Sequence, residues 1–179
     1  MKHLRESLEH AKEYVNRIRN ELFPIVNSLT ENNERTRTIM NHIHNNIKNM
    51  AQNNNFNSHD FNNLVSLCKN ESLLAIKNRK DFKDCWLNSS YVVFASYELG
   101  EKAMLIVNYY RTIRRIKSIN DINTHFKMLQ DLYERIFAKM KHMEEHVIPG
   151  LRNHALRLES ENIASLNKIE KQLAYSHAA

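Results

Sequence analysis

HMEEHVIPGLRNHAL, residues 142–156, is the stretch that decides the fold, because Pro149-Gly150 interrupts an otherwise helical run from Asp121 to Tyr175. Upstream, Ile122, Phe126, Leu129, Tyr133, Ile136, Met140, Met143 and Val147 recur in steps of three and four, the spacing of a heptad seam. Downstream, Leu151, Ala155, Leu158, Ile163, Leu166, Ile169 and Leu173 continue with irregular steps, so the phase slips at the break.

The N-terminal part mirrors this pattern. Leu4, Leu8, Ala11, Val15, Ile18, Leu22, Ile25 and Leu29 form a seam that resumes at Ile39, Ile43, Ile47 and Met50, with Asn32 and Thr36 at the seam positions between. Those two polar residues weaken the packing there, and either admit water or specify register. Pro24 cannot donate to the preceding turn and is expected to kink the helix or begin a new one, giving a helix over 2–51 with a break near 23–24.

Between these ends, residues 51–60 (AQNNNFNSHD) read as a polar turn with Ser58 or Asp60 as N-cap. A second helix carries Phe61, Leu64, Leu67, Cys68, Leu74, Phe82, Cys85 and Trp86 to Leu87, and Lys77 to Lys83, its weakest part, reads as a loop. Asn88-Ser89-Ser90 supplies the next turn and cap. A third helix runs from Tyr91 to Lys117, and Gly100 inside it marks a close helix contact. Ser118 to Asp121 is a capping turn into the last run.

Four stretches, 24–51, 59–87, 90–118 and 121–149, are each about 28 residues, or roughly 42 Å of helix. Equal lengths joined by short turns suit an all-α, up-down-up-down antiparallel four-helix bundle in a single domain over 1–179. Residues 1–23 and 150–175 then leave the 24–149 body together as a two-helix coiled-coil stalk. Two helices bury one seam, so the stalk is expected to pack on a second copy as a homodimer, on a partner or back on the body.

Only two Gly and two Pro occur in 179 residues, too little turn chemistry for β-hairpins. No stretch reaches the roughly 18–20 apolar residues a membrane-spanning helix needs, and the start lacks a signal peptide's apolar segment. A cytoplasmic protein is the expectation, with a host-delivered secreted one as the alternative. Cys68 and Cys85 are isolated thiols without zinc-ligand spacing. The net charge of +6 permits acidic partners.

His142 and His146 stand four apart with Glu145 beside them, on one helical face. With NELFP (20–24) and HMEEHVIP (142–149), this resembles the hemerythrin-like four-helix di-iron proteins, which implies metal binding. The other helices add only His59, at a tip, so the residues themselves read as exposed surface histidines with no metal and no cofactor. NHALRLESENIA (153–164) resembles the phosphorelay motif of histidine-phosphotransfer domains, implying an exposed phosphoacceptor at His154, although Leu158 stands where that family has glycine. Arg37 to His42 resembles the Arg-x4-His pattern of HEPN-type ribonucleases. No nucleophile-base set, glycine-rich loop or paired carboxylates points to catalysis.

The charge cluster worth naming is YYRTIRRIKS (109–118): Tyr109, Arg111, Arg114, Arg115 and Lys117 are the candidate nucleic-acid-binding residues, with Arg35, Arg37 and Lys48 expected nearby. The same cations complement the negative end of a helix dipole. The chain is expected to be a non-enzymatic helical protein-protein interaction module (an adaptor, chaperone-like or regulatory subunit), with a small basic nucleic-acid-binding subunit as the alternative.

Overall fold

The computed structural model describes residues 1–85, 87 and 89–178; Trp86 and Asn88, read above as the end of a helix and part of a turn, lie outside the described residues. All regular structure among the described residues is helical: α1 (Lys2–Arg17), α2 (Phe23–Asn53), α3 (Ser58–Lys83), α4 (Ser90–Ile113), α5 (Ile119–His142) and α6 (Ile148–Ala178). A π turn, Ile18–Leu22, joins α1 to α2, and another, Met143–Val147, joins α5 to α6, so two long rods run without a break.

Both prolines are absorbed by these π turns. Pro24 and Pro149 have no N–H for the carbonyls four residues back, which in an α-helix breaks the ladder. Here the preceding residue bonds five back instead: the Phe23 amide donates to the Ile18 carbonyl and the Ile148 amide to that of Met143. The wider turn accommodates the ring, and the helix continues. The expected interruption at Pro149-Gly150 and the expected break near 23–24 are therefore corrected. Gly150 has ordinary helical backbone, and a β-carbon there would lie 4.0 Å from the Tyr91 ring, in normal contact. Gly150→Ala is expected to raise unfolding free energy by about 0.5–1 kcal/mol. Urea unfolding checks this, and a loss of stability would mean that the backbone at Gly150 is not helical.

Beyond the first π turn half of the expected seam shifts. Val15, Ile18 and Leu22 face inward as the heptad spacing predicts, and so do Leu29, Thr36, Ile43 and Ile47, but the positions between them move on by one residue, to Val26, Asn33 and Met40. Ile25, Asn32 and Ile39, the residues expected there, sit half-buried at the edge.

The turns are set by local chemistry. Asn57, rather than Ser58 or Asp60, caps α3 by accepting from the Asp60 amide at 3.1 Å, and Phe56 packs on Phe61 across the cap with ring centroids 5.2 Å apart. Ser89 accepts from the Val92 amide and Ser118 from the Asp121 amide, while the Asp121 carboxylate accepts from Lys117 N at 2.8 Å. Lys77 to Lys83 is helical rather than a loop, held by Phe82, which is 1% exposed. The second helix stops at Lys83 instead of Leu87, and the third at Ile113 instead of Lys117, where Arg114 and Arg115 begin the turn into Ser118.

Helices α2, α3, α4 and α5 pack each on the next and α5 back on α2, while α1 packs along α6. Arg37 meets Glu144 and His44 meets Gln130, so α2 and α5 run in opposite directions. Two apolar cores result. One, around Met40, Ile43, Phe61, Ile106, Ile113 and Ile136, fills the end near the α2–α3 turn. The other, around Leu22, Val26, Phe82, Leu99, Val147 and Leu151, fills the end from which α1 and α6 extend. Beyond Val15 and Ala155 the facing side chains of α1 and α6 are half-buried at most.

Candidate functional site

Between the two cores lies a layer of buried polar side chains. Asn33, Thr36, Glu71, Glu98 and Lys102 are all 5% exposed or less. Glu71 accepts from the Thr36 hydroxyl at 2.5 Å and from Arg35 at 3.4 Å, and Lys102 donates to Asn33 at 2.8 Å. Lys139 bridges Glu98 and Glu101, and Arg37 grips Glu144 with contacts of 2.9 and 3.0 Å. The polar interruption of the α2 seam is thus matched by charges from α3, α4 and the far end of α5.

Burial holds the Lys102 ammonium down at about 8, against the attraction of Glu71. In the unfolded chain it titrates near 10.4. Between these values the unfolded state binds more protons, so this lysine makes stability rise with pH, by up to about 3 kcal/mol across the window, and adds no slope below it. Burial raises the Cys68 thiol to about 12 and the Tyr109 hydroxyl well above its usual range, which acts in the opposite sense. The readout is therefore the difference between wild type and Lys102→Met, which is expected to shift in favour of wild type from pH 8 to 10; a constant difference would show that Lys102 keeps its ordinary proton affinity.

A second polar cluster sits inside the first core. His44, 2% exposed, lies between the rings of Tyr133 and Phe126, with centroids at 4.1 and 5.7 Å. Its Nε2 is 2.6 Å from Gln130 Oε1, and Gln130 Nε2 donates to Glu134 at 3.0 Å. A carbonyl oxygen can only accept, so His44 carries its proton on Nε2, and the Tyr109 hydroxyl donates to Nδ1 at 2.9 Å.

This geometry separates Tyr109 from the other nucleic-acid candidates. Tyr109 is fully buried and turned toward His44, so it offers no ring for stacking on a base. Arg111, Arg114, Arg115 and Lys117 are exposed, with Arg114 over the Tyr110 ring at 5.8 Å. Arg35 and Arg37, expected beside them, are engaged by Glu71 and Glu144 in the polar layer. Arg37 and His42 do not form a pair: His42 is exposed next to Asn46.

The His142 and His146 rings stand 5.2 Å apart on the surface at the second π turn. Among the described residues no group of three or more His, Cys, Asp or Glu is placed to hold a metal. His154 is not the exposed residue that a phosphoacceptor requires. It stacks on Tyr91 with centroids 4.5 Å apart, and both its ring nitrogens are enclosed without a hydrogen-bond partner. Burial accordingly lowers its proton affinity, as does the nearby Arg157.

What the sequence reading missed is the outer face of α3 and α4. Val93, Tyr97 and Met104 recur at helical spacing on α4 and are 57, 60 and 66% exposed, and Leu73 and Ile76 stand exposed on α3. Between the helices runs a groove of about 390 Å³ lined by Ile76, Met104 and Val107 with Arg79, Lys80, Lys83 and Arg111. A second hollow, which shares Arg79 and Lys83, adjoins it beside Val93 and Tyr97. Gly100 forms part of the wall, and the Arg79 side chain lies across it, 2.7 Å from where a β-carbon would be. The close contact expected at Gly100 is thus with an arginine. A signal was present in YVVFASY (91–97): a helix apolar on every face must turn one of them outward.

No family model, no curated protein and no solved structure matches the chain. Among the described residues, no helix is long and apolar enough to cross a membrane.

Proposed function

We propose that this chain is a non-enzymatic protein-protein interaction module: one domain, 1–179, with an up-down-up-down antiparallel four-helix body (24–149) and a coiled-coil stalk (1–23 with 150–175). The observation that carries this reading is the apolar stripe on the outer face of α4, where Val93, Tyr97 and Met104 remain exposed although the opposite face of the helix is already buried. Exposed apolar surface arranged in this way, beside a groove, is characteristic of interaction sites. The opposed directions of α2 and α5 and the pairing of α1 with α6 support the architecture. The half-buried stalk seam, with Leu8, Leu166 and Ile169, supports self-association there. A nucleic-acid role is less well supported, because the aromatic expected to stack is internal.

A photo-crosslinking amino acid at Met104, introduced in living cells of the source organism, is expected to capture another protein, whereas the same probe at exposed Lys127 on α5 does not. Equal, background-level capture at both positions would overturn the interaction reading. The probe at Ile163 is expected to join two copies of the chain; a monomeric product would remove the stalk homodimer.

A further inference from the structure

We infer that the α3–α4 groove takes an acidic amphipathic helix from another protein. The inference rests on the interaction reading above and adds the chemistry of the occupant. The exposed stripe from Val93 to Arg111 is about 27 Å long, matching a helix of about 19 residues. The floor and one ridge are apolar, through Ile76, Val107 and Met104, which suits a helix laid in by its apolar face. Arg79, Lys80, Lys83 and Arg111 line the sides; among the described residues no carboxylate lines either hollow, and Glu101, bonded to Tyr97, stands at the edge of the stripe. Such an arrangement attracts a helix with Glu or Asp flanking its apolar stripe and repels a basic one. A second copy of this chain, with net charge +6, is a poor electrostatic match. A nucleic acid would leave the apolar floor unused.

The test is selection of 19-residue helical peptides from a displayed random library on the full-length protein, with the net charge of the enriched peptides as readout. Enriched peptides are expected to be acidic, with apolar residues at steps of three and four. They are expected to bind about tenfold or more tightly than versions with each acid changed to Lys, and to lose that preference as salt rises. They should lose binding to Met104→Asp and reverse their charge preference with Lys80→Glu/Lys83→Glu. All three positions are exposed, and circular dichroism confirms that the variants stay folded.

Enriched peptides that are neutral or basic overturn the acidic occupant. If those peptides still depend on Met104, the interaction surface stands and only its charge preference falls. If binding ignores both variants, or no peptide is enriched, the groove is not a helix-binding site. Salt-sensitive binding of single-stranded RNA or phosphatidylserine vesicles, lost with Lys80→Glu/Lys83→Glu in the absence of acidic-peptide binding, assigns the cations to another class of partner and also overturns the inference.

Discussion

Glu71→Ala is expected to lower the unfolding free energy by about 3–5 kcal/mol, because it leaves buried charge without its counter-charge. Glu71 is 1% exposed and its carboxylate lies in the field of Lys102, itself 3% exposed, while accepting from Thr36 and Arg35. Without it, the Lys102 ammonium keeps the Asn33 carbonyl oxygen and the weaker attraction of Glu144, and the Thr36 hydroxyl loses its acceptor. Removing both ends, in Glu71→Ala combined with Lys102→Met, should recover much of the loss, since two apolar groups need no partner. Urea unfolding of the two single variants and the double variant measures the coupling. A loss under about 1 kcal/mol for Glu71→Ala would show that water reaches this layer, and would sink the account of a dry, paired belt.

His44→Ala is expected to cost about 2–5 kcal/mol. The substitution empties the space between Tyr133 and Phe126 and leaves the buried Tyr109 hydroxyl without its acceptor. His44→Phe fills the space but restores no acceptor, so it should recover part of the loss, and a full recovery would show that the hydrogen bonds contribute nothing. Acid has a related effect. Burial lowers the proton affinity of His44, partly offset by the bond to Gln130, so below its ordinary value near 6.5 the unfolded state binds more protons and stability is lost as the pH is lowered. The enclosed His154 acts in the same direction, so thermal unfolding of His44→Phe should retain part of this acid sensitivity.

The two predictions concern groups that sequence reading treats very differently. Thr36 was visible as a polar residue on an apolar seam, but its α2 neighbour in the layer was read as Asn32 and is Asn33, one residue on. The partners Glu71 and Lys102 look like any other surface charges, since nothing in a helix's own periodicity says which charged residue meets a polar one on another helix. His44 was invisible for a different reason: it follows Ile43 on a face where histidine and asparagine are frequent, and its burial depends on aromatic residues more than 60 positions away. The basic cluster was read as one site, yet the helical twist divides it. Tyr109 faces the core, Arg111 faces α3, and Arg114 and Arg115 stand in the turn.

The all-helical class, the long seams at the two ends of the chain and the capping turns before α4 and α5 were determined by the sequence itself. Each depends on residues within a turn or two of one another. Whether the chain breaks at HMEEHVIPGLRNHAL was decided by the tertiary structure. A proline permits either a break or a π turn, and the apolar contacts of Met143, Val147, Ile148 and Leu151 on both sides of it favour a rod that continues. The same holds for the groove: residues 91–97 put apolar side chains on every face of α4, and only the packing of α3, α5 and α6 against it settles which face stays outside.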